Sequence, residues 1–168
     1  MNKIPTPADE SQFWSLLEAA WERVGAEPNA LRKSLAGRTD DADAYALDEH
    51  LAAFLEHLTT LSADLSAEQL TALDRVAERK LHDLDRADIH EVTDGSDDGF
   101  LYCRGFILAM GHDFHAAVLA DPSTAILDAE CESLCYFFAH LHNTRFGDFP
   151  DTGSGISRES FSNPSGWS

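Results

Sequence analysis

Phe13-Trp14-Ser15-Leu16-Leu17-Glu18-Ala19-Ala20-Trp21-Glu22-Arg23-Val24 is the stretch on which the fold class turns. Phe13, Leu16, Leu17, Ala20, Trp21 and Val24 fall at i, i+3, i+4, i+7, i+8 and i+11, one apolar stripe at the helical period. Asp9 or Ser11 is placed to cap its start, and Gly25 to stop it in a left-handed turn. Pro28 then suits the first turn of a short helix carrying Leu31 and Leu35.

The same period continues along the chain. Leu47, Leu51, Phe54, Leu55, Leu58 and Leu61 predict a third helix over about Ala44 to Leu61, with acids on its far side. Ser66-Ala67-Glu68-Gln69 reads as a capping box between Leu65 and Leu70, and it opens a fourth helix through Leu84. From Arg86 to Asp98 the pattern dissolves, which predicts a loop turning at Asp94-Gly95. Ser96 reads as the N-cap of a fifth helix, with Asp97 and Asp98 in the first turn, where the helix dipole favours anions. A short helix around Phe114 to Leu119 and a long one near Ile126 to Thr144, burying Leu127, Cys131, Leu134, Phe138 and Leu141, complete the expectation. No strand-like alternation and no fixed-period repeat appears. The predicted fold is all-α, a single compact bundle of about six helices. Residues 1–10 form an N-terminal extension and residues 11–146 the helical domain. Residues 147–168, rich in Gly, Ser, Pro and Asn, form a flexible tail.

Thirty acids stand against twelve bases, a net charge of −18. No Lys or Arg occurs between Arg38 and Arg75. A field of that sign repels nucleic acid and anionic lipid and attracts a basic protein partner, although acidic surfaces also serve solubility alone. No apolar run is long enough for a membrane span, and the polar, proline-broken start carries no secretory signal, so a cytoplasmic location is expected. Cys103, Cys131 and Cys135 form no C-x-x-C pair and read as buried thiols in a reducing compartment.

The segment Gly95-Ser96-Asp97-Asp98-Gly99-Phe100, followed by Arg104-Gly105-Phe106-Ile107-Leu108 and Gly111, resembles the bacterial family known as domain of unknown function 4240. Phe13-Trp14, the Leu65–Leu70 helix start and Phe114 to Pro122 extend the resemblance over roughly Gln12 to Thr144. The chain departs from that pattern at Asp88 to Gly95, where an alanine- and aromatic-rich segment ending in Gly-Gly is usual. It also has Phe106 in place of Trp and Met110 in place of Gln. The resemblance implies a fold and a conspicuous loop and brings no reaction with it.

Four groups of residues can carry chemistry. Asp97 and Asp98, with Arg104 two turns further along one helix face, can orient a polar ligand or simply form a capped helix with a buried ion pair. His82, Asp83, Asp85, Asp88, His90 and Glu91 have metal-ligand side chains without metal-ligand spacing, as a solvated charged face would. His112 and His115 stand i, i+3 and can share one ligand. Cys131, Cys135 and His142 lie on one helix face that is also the apolar face. No nucleophile elbow, phosphate loop or dinucleotide fingerprint is present, and neither a metal nor a cofactor is expected.

The leading functional reading is an acidic protein-binding or regulatory protein, with an immunity or adaptor role as one form. The alternatives are a small enzyme or ligand-binding protein centred on Asp97, Asp98 and Arg104, and a metal-binding protein. Trp167 is a costly residue to leave in a tail. It is expected to anchor the tail in a groove of a neighbouring copy or a partner, and Arg158 suits contact with the protein's own acidic face.

Overall fold

The apolar stripe of the first stretch forms helix α1 (Pro7–Val24), which begins earlier than expected. Thr6 rather than Asp9 or Ser11 caps it, its Oγ1 accepting from the Asp9 amide at 3.1 Å, so the last four residues of the expected N-terminal extension are helical. Gly25 ends the helix at φ 146°, a backbone angle that side chains disfavour. Phe13, Leu17, Ala20 and Trp21 are buried, and Trp21 stacks on Phe54 at 4.6 Å while donating to the Ala109 carbonyl at 2.8 Å.

The computed structural model describes residues 1–168. Beyond α1 the order is α2 (Ala26–Ser34), α3 (Ala42–Ala46), α4 (Leu51–Leu61), α5 (Ala67–Asp83), α6 (Ala87–His90), α7 (Asp97–Ala109), α8 (His112–Ala120), α9 (Glu132–Cys135), α10 (Phe137–Phe146) and α11 (Pro164–Trp167), with no strand. The fold is all-α, with more and shorter helices than the expected six. α1 packs on α4 and α5, α5 on α7 and α10, and α7 on α8 and α9. α7 is the central element: from Gly99 to Ala109 only Tyr102 escapes full burial. The Ser66–Gln69 capping box forms as read, with hydrogen bonds of 2.9 and 3.1 Å in its two directions.

Two expected helices are broken. The third is interrupted by a 3-10 turn at Asp48–His50. The last begins only at Glu132 and breaks at Tyr136 (φ −127°, ψ 27°). Residues before it are held by other parts of the chain: Tyr45 Oη donates to the Leu127 carbonyl at 2.8 Å, and the Cys131 amide to the Tyr102 carbonyl at 3.0 Å. Leu127, expected inside, is 53% exposed.

The largest correction concerns residues 147–168, which pack back onto the bundle. Gly147 ends α10 in the left-handed region (φ 86°) and the chain returns across α5. Arg158 is buried between Asp74 (2.9 and 3.1 Å) and Glu78 (3.1 Å), and also donates to the Cys135 carbonyl at 2.8 Å. Asp85, fully buried, accepts from the amides of Phe161, Ser162 and Asn163 and from Trp167 Nε1 at 2.7–3.0 Å. Composition alone points to disorder, since few apolar side chains offset the entropy of ordering. Here the ordering is driven by buried charges of the bundle that the segment satisfies.

Candidate functional site

The Ser96 to Arg104 segment is explained largely by structure. Ser96 Oγ accepts from the Gly99 amide at 3.1 Å. A Cβ at Gly99 would lie 2.5 Å from that same Oγ and would displace the Asp94 carboxylate, disturbing the cap. At Gly105 a Cβ would fall 2.5 Å from the Cys131 carbonyl oxygen and 2.7 Å from Cys135 Sγ, so this glycine sets how closely α7 and α9 approach.

Arg104 does not reach back to Asp97 or Asp98. It turns inward, fully buried, and its Nη atoms donate to the carbonyls of Leu81 and Arg158 (both 2.9 Å) and to Ser160 Oγ (3.0 Å). Its guanidinium lies 4.6 Å from the Phe100 ring centroid, and burial pulls its pKa down, partly offset by Asp85. The side chains of Asp97 and Asp98 stay exposed, and only the Asp97 carbonyl is tied to Arg104, through the Ser160 hydroxyl.

The remaining expected groups separate. His90 is ringed by Phe100, Phe161 and Trp167 at 5.0, 5.6 and 5.3 Å, while Glu91 is exposed. Trp167 packs against its own bundle, its indole N–H donating to Asp85. His82 Nδ1 lies 2.9 Å from the Ser157 carbonyl, Asp85 holds the C-terminal segment, and Asp88 pairs with Arg86, which lowers its pKa. His112 and His115 share the Trp14 ring, at 5.5 and 5.4 Å, in place of a ligand. His142 turns to the Asp148 carbonyl at 2.6 Å, away from the two cysteines. Burial pushes the thiols of Cys103, Cys131 and Cys135 up to about 12, which leaves them unreactive at neutral pH. Asp94, Asp128 and Glu130 bring their carboxylates within 4.8 Å of one another, a grouping absent from the sequence reading.

A concave site forms where α7, α9 and α10 meet the C-terminal segment. The cavity measures about 550 Å³. One wall is the Asp98, Leu101, Tyr102 face of α7, at i, i+3 and i+4, and the other is Phe137, His140, Leu141 and Thr144 on α10. The break at Tyr136 separates α9 from α10, and Tyr136 itself lines the cavity. Glu132 and Glu159 stand at its edges, and Tyr136 Oη donates to Glu159 at 2.6 Å. Burial and then that hydrogen bond raise the Tyr136 pKa; burial, Glu132 and Asp98 raise that of Tyr102. No Lys or Arg lines this cavity, and Asp98, Glu132 and Glu159 form no ion pair within the chain. Only Asp98 among these residues is legible beforehand. The lining comes from four separated stretches, at 59, 98–102, 132–144 and 159, and no local spacing signals that these stretches meet.

The fold and the cavity define an all-helical domain with an acidic, aromatic-walled cleft. The chain belongs to the family described as Protein of unknown function (DUF4240), whose model matches residues 8–143. No curated protein and no solved structure matches it.

Proposed function

We propose that this protein is a binding protein of the adaptor or immunity kind, working in the cytoplasm, that meets a basic protein partner through the α7–α10 cleft. The supporting observation is the set of three carboxylates, Asp98, Glu132 and Glu159, that border one half-apolar cavity with no lysine or arginine in its lining. Such a cleft in a chain of net charge −18 attracts positively charged surfaces from a distance and seats a cationic group on contact. Nucleic acid and anionic membrane are disfavoured by the same field, and no helix is long and apolar enough to cross a membrane. The test compares the full chain with Asp98→Asn/Glu132→Gln and with a control pair away from the cleft, Asp40→Asn/Asp41→Asn, each titrated calorimetrically with a short basic peptide. The reading expects the cleft pair to weaken binding at least tenfold and the control pair far less. Equal loss in both pairs would mean that only net charge matters.

A further inference from the structure

We infer that the cleft selects arginine over lysine, so that the partner inserts an arginine side chain between α7 and α10; this rests on the binding role just proposed. The protein contains its own template for the arrangement. Arg158 lies 4.6 Å from the centroid of Tyr136, and its Nη atoms meet the carboxylates of Asp74 and Glu78 at 2.9–3.1 Å. Ring beneath, two carboxylates at the edge: that is how Arg158 is seated, whereas the equally buried Arg104 lies on Phe100 and donates only to carbonyls and a hydroxyl. Tyr136 borders both that arrangement and the cleft. On the cleft side the same composition recurs, with Tyr102 beside Glu132 and Asp98 on one wall, Phe137 and His140 on the other, and Glu159 held by Tyr136.

Physical chemistry separates the two cations here. A guanidinium is planar and weakly hydrated, so its faces can lie on rings while its edge donors reach carboxylates on two elements at once. An ammonium is a compact, strongly hydrated point charge, and it would have to shed water against a lining in which six of thirteen residues are hydrophobic. The carboxylates come from three separate elements, α7, α9 and the C-terminal segment, which favours a ligand with donors spread along a plane. Every cation-on-ring contact within this chain is also made by an arginine: Arg32 on Trp21, Arg104 on Phe100, Arg145 on Phe146 and Arg158 on Tyr136.

The experiment uses the isotope-labelled full chain and two blocked peptides of equal charge, one alternating Gly with Arg and one alternating Gly with Lys. Binding is followed by NMR shifts and calorimetry at one fixed ionic strength. The expected result is at least tenfold tighter binding of the arginine peptide, with shifts confined to residues 98–102, 132–144 and 159. Glu132→Gln should erase most of the difference; Glu132 is exposed and holds no ion pair, so the fold survives the change. Equal affinities at the cleft would overturn the arginine selection and leave the binding reading standing. Shifts that avoid the cleft with both peptides would overturn both.

Discussion

At the scale of single residues, the decisive side chains are buried polar ones. Arg158 is 4% exposed, and it neutralises two acids that α5 carries into the interior. Burial still pushes the Asp74 carboxyl upward against the pull of the arginine, so the pair is held in a costly place. Removing one member leaves the others unpaired, and Arg158→Ala should therefore cost roughly 3–5 kcal/mol in urea unfolding. Arg158→Lys should recover only part of that, because the guanidinium makes four bonds from two separated nitrogens and an ammonium has three donors on one. His115 makes a second prediction, with a defined sign. Burial lowers its pKa from 6.5 to about 4. Between those values the unfolded chain holds the proton and the folded one does not. The stability it contributes is fully present above pH 6.5 and is lost as pH falls toward 4, by up to about 1.4 kcal/mol per pH unit. His115→Phe, which keeps a ring against Trp14, should flatten that part of the pH–stability curve. An unchanged slope would show that His115 is not the group responsible.

At the scale of elements, stripes and caps were readable and long-range polar ties were not. α1 and α5 follow from apolar spacing and the Ser66–Gln69 box, both local signals. The packing of residues 147–168 depends on hydrogen bonds to partners dozens of residues away, which no local pattern signals. Arg104 shows the difference in one side chain. Helical spacing (i, i+7) places it on the face of Asp97, but its actual acceptors belong to α5 and the C-terminal segment. The cleft was half hidden for the same reason, since its walls come from four separated parts of the chain. Two predictions belong here. Asp85→Ala removes the acceptor for three consecutive amides and an indole N–H. It should release the amides of Phe161, Ser162 and Asn163 to fast hydrogen exchange and destabilise the protein by a few kcal/mol. If those amides remain protected, the carboxylate is not what holds the segment. Gly105→Ala should force α7 from α9 and cost about 1–3 kcal/mol, with the Leu101 and Cys135 surroundings disturbed first.

At the scale of the whole molecule, thirty acids in 168 residues set two opposed responses to salt. Most of these carboxylates have no basic partner close by, so the folded state gathers repelling charges that the unfolded chain spreads apart. At about 10 mM salt the screening length is roughly 30 Å, enough for acids on opposite faces to interact; at about 0.3 M only near neighbours do. Raising NaCl across that range should increase stability by about 1 kcal/mol, or roughly 2–4 °C in Tm for a chain of this size. The buried pairs of Arg158 lie largely beyond the reach of screening ions, so Arg158→Ala should show the same salt slope from a lower starting point. Binding of a basic partner should move the other way, because salt weakens the attraction that both steers and holds it. A thermal-denaturation series and a binding series over identical NaCl concentrations would test both at once. If stability falls as salt rises, the acids are paired with bases in solution after all; if affinity does not fall as salt rises, the field argument for a basic partner fails. If stability rises while affinity falls, the excess charge destabilises the fold and serves recognition, and the cleft variants should lose affinity with little change in the salt dependence of stability.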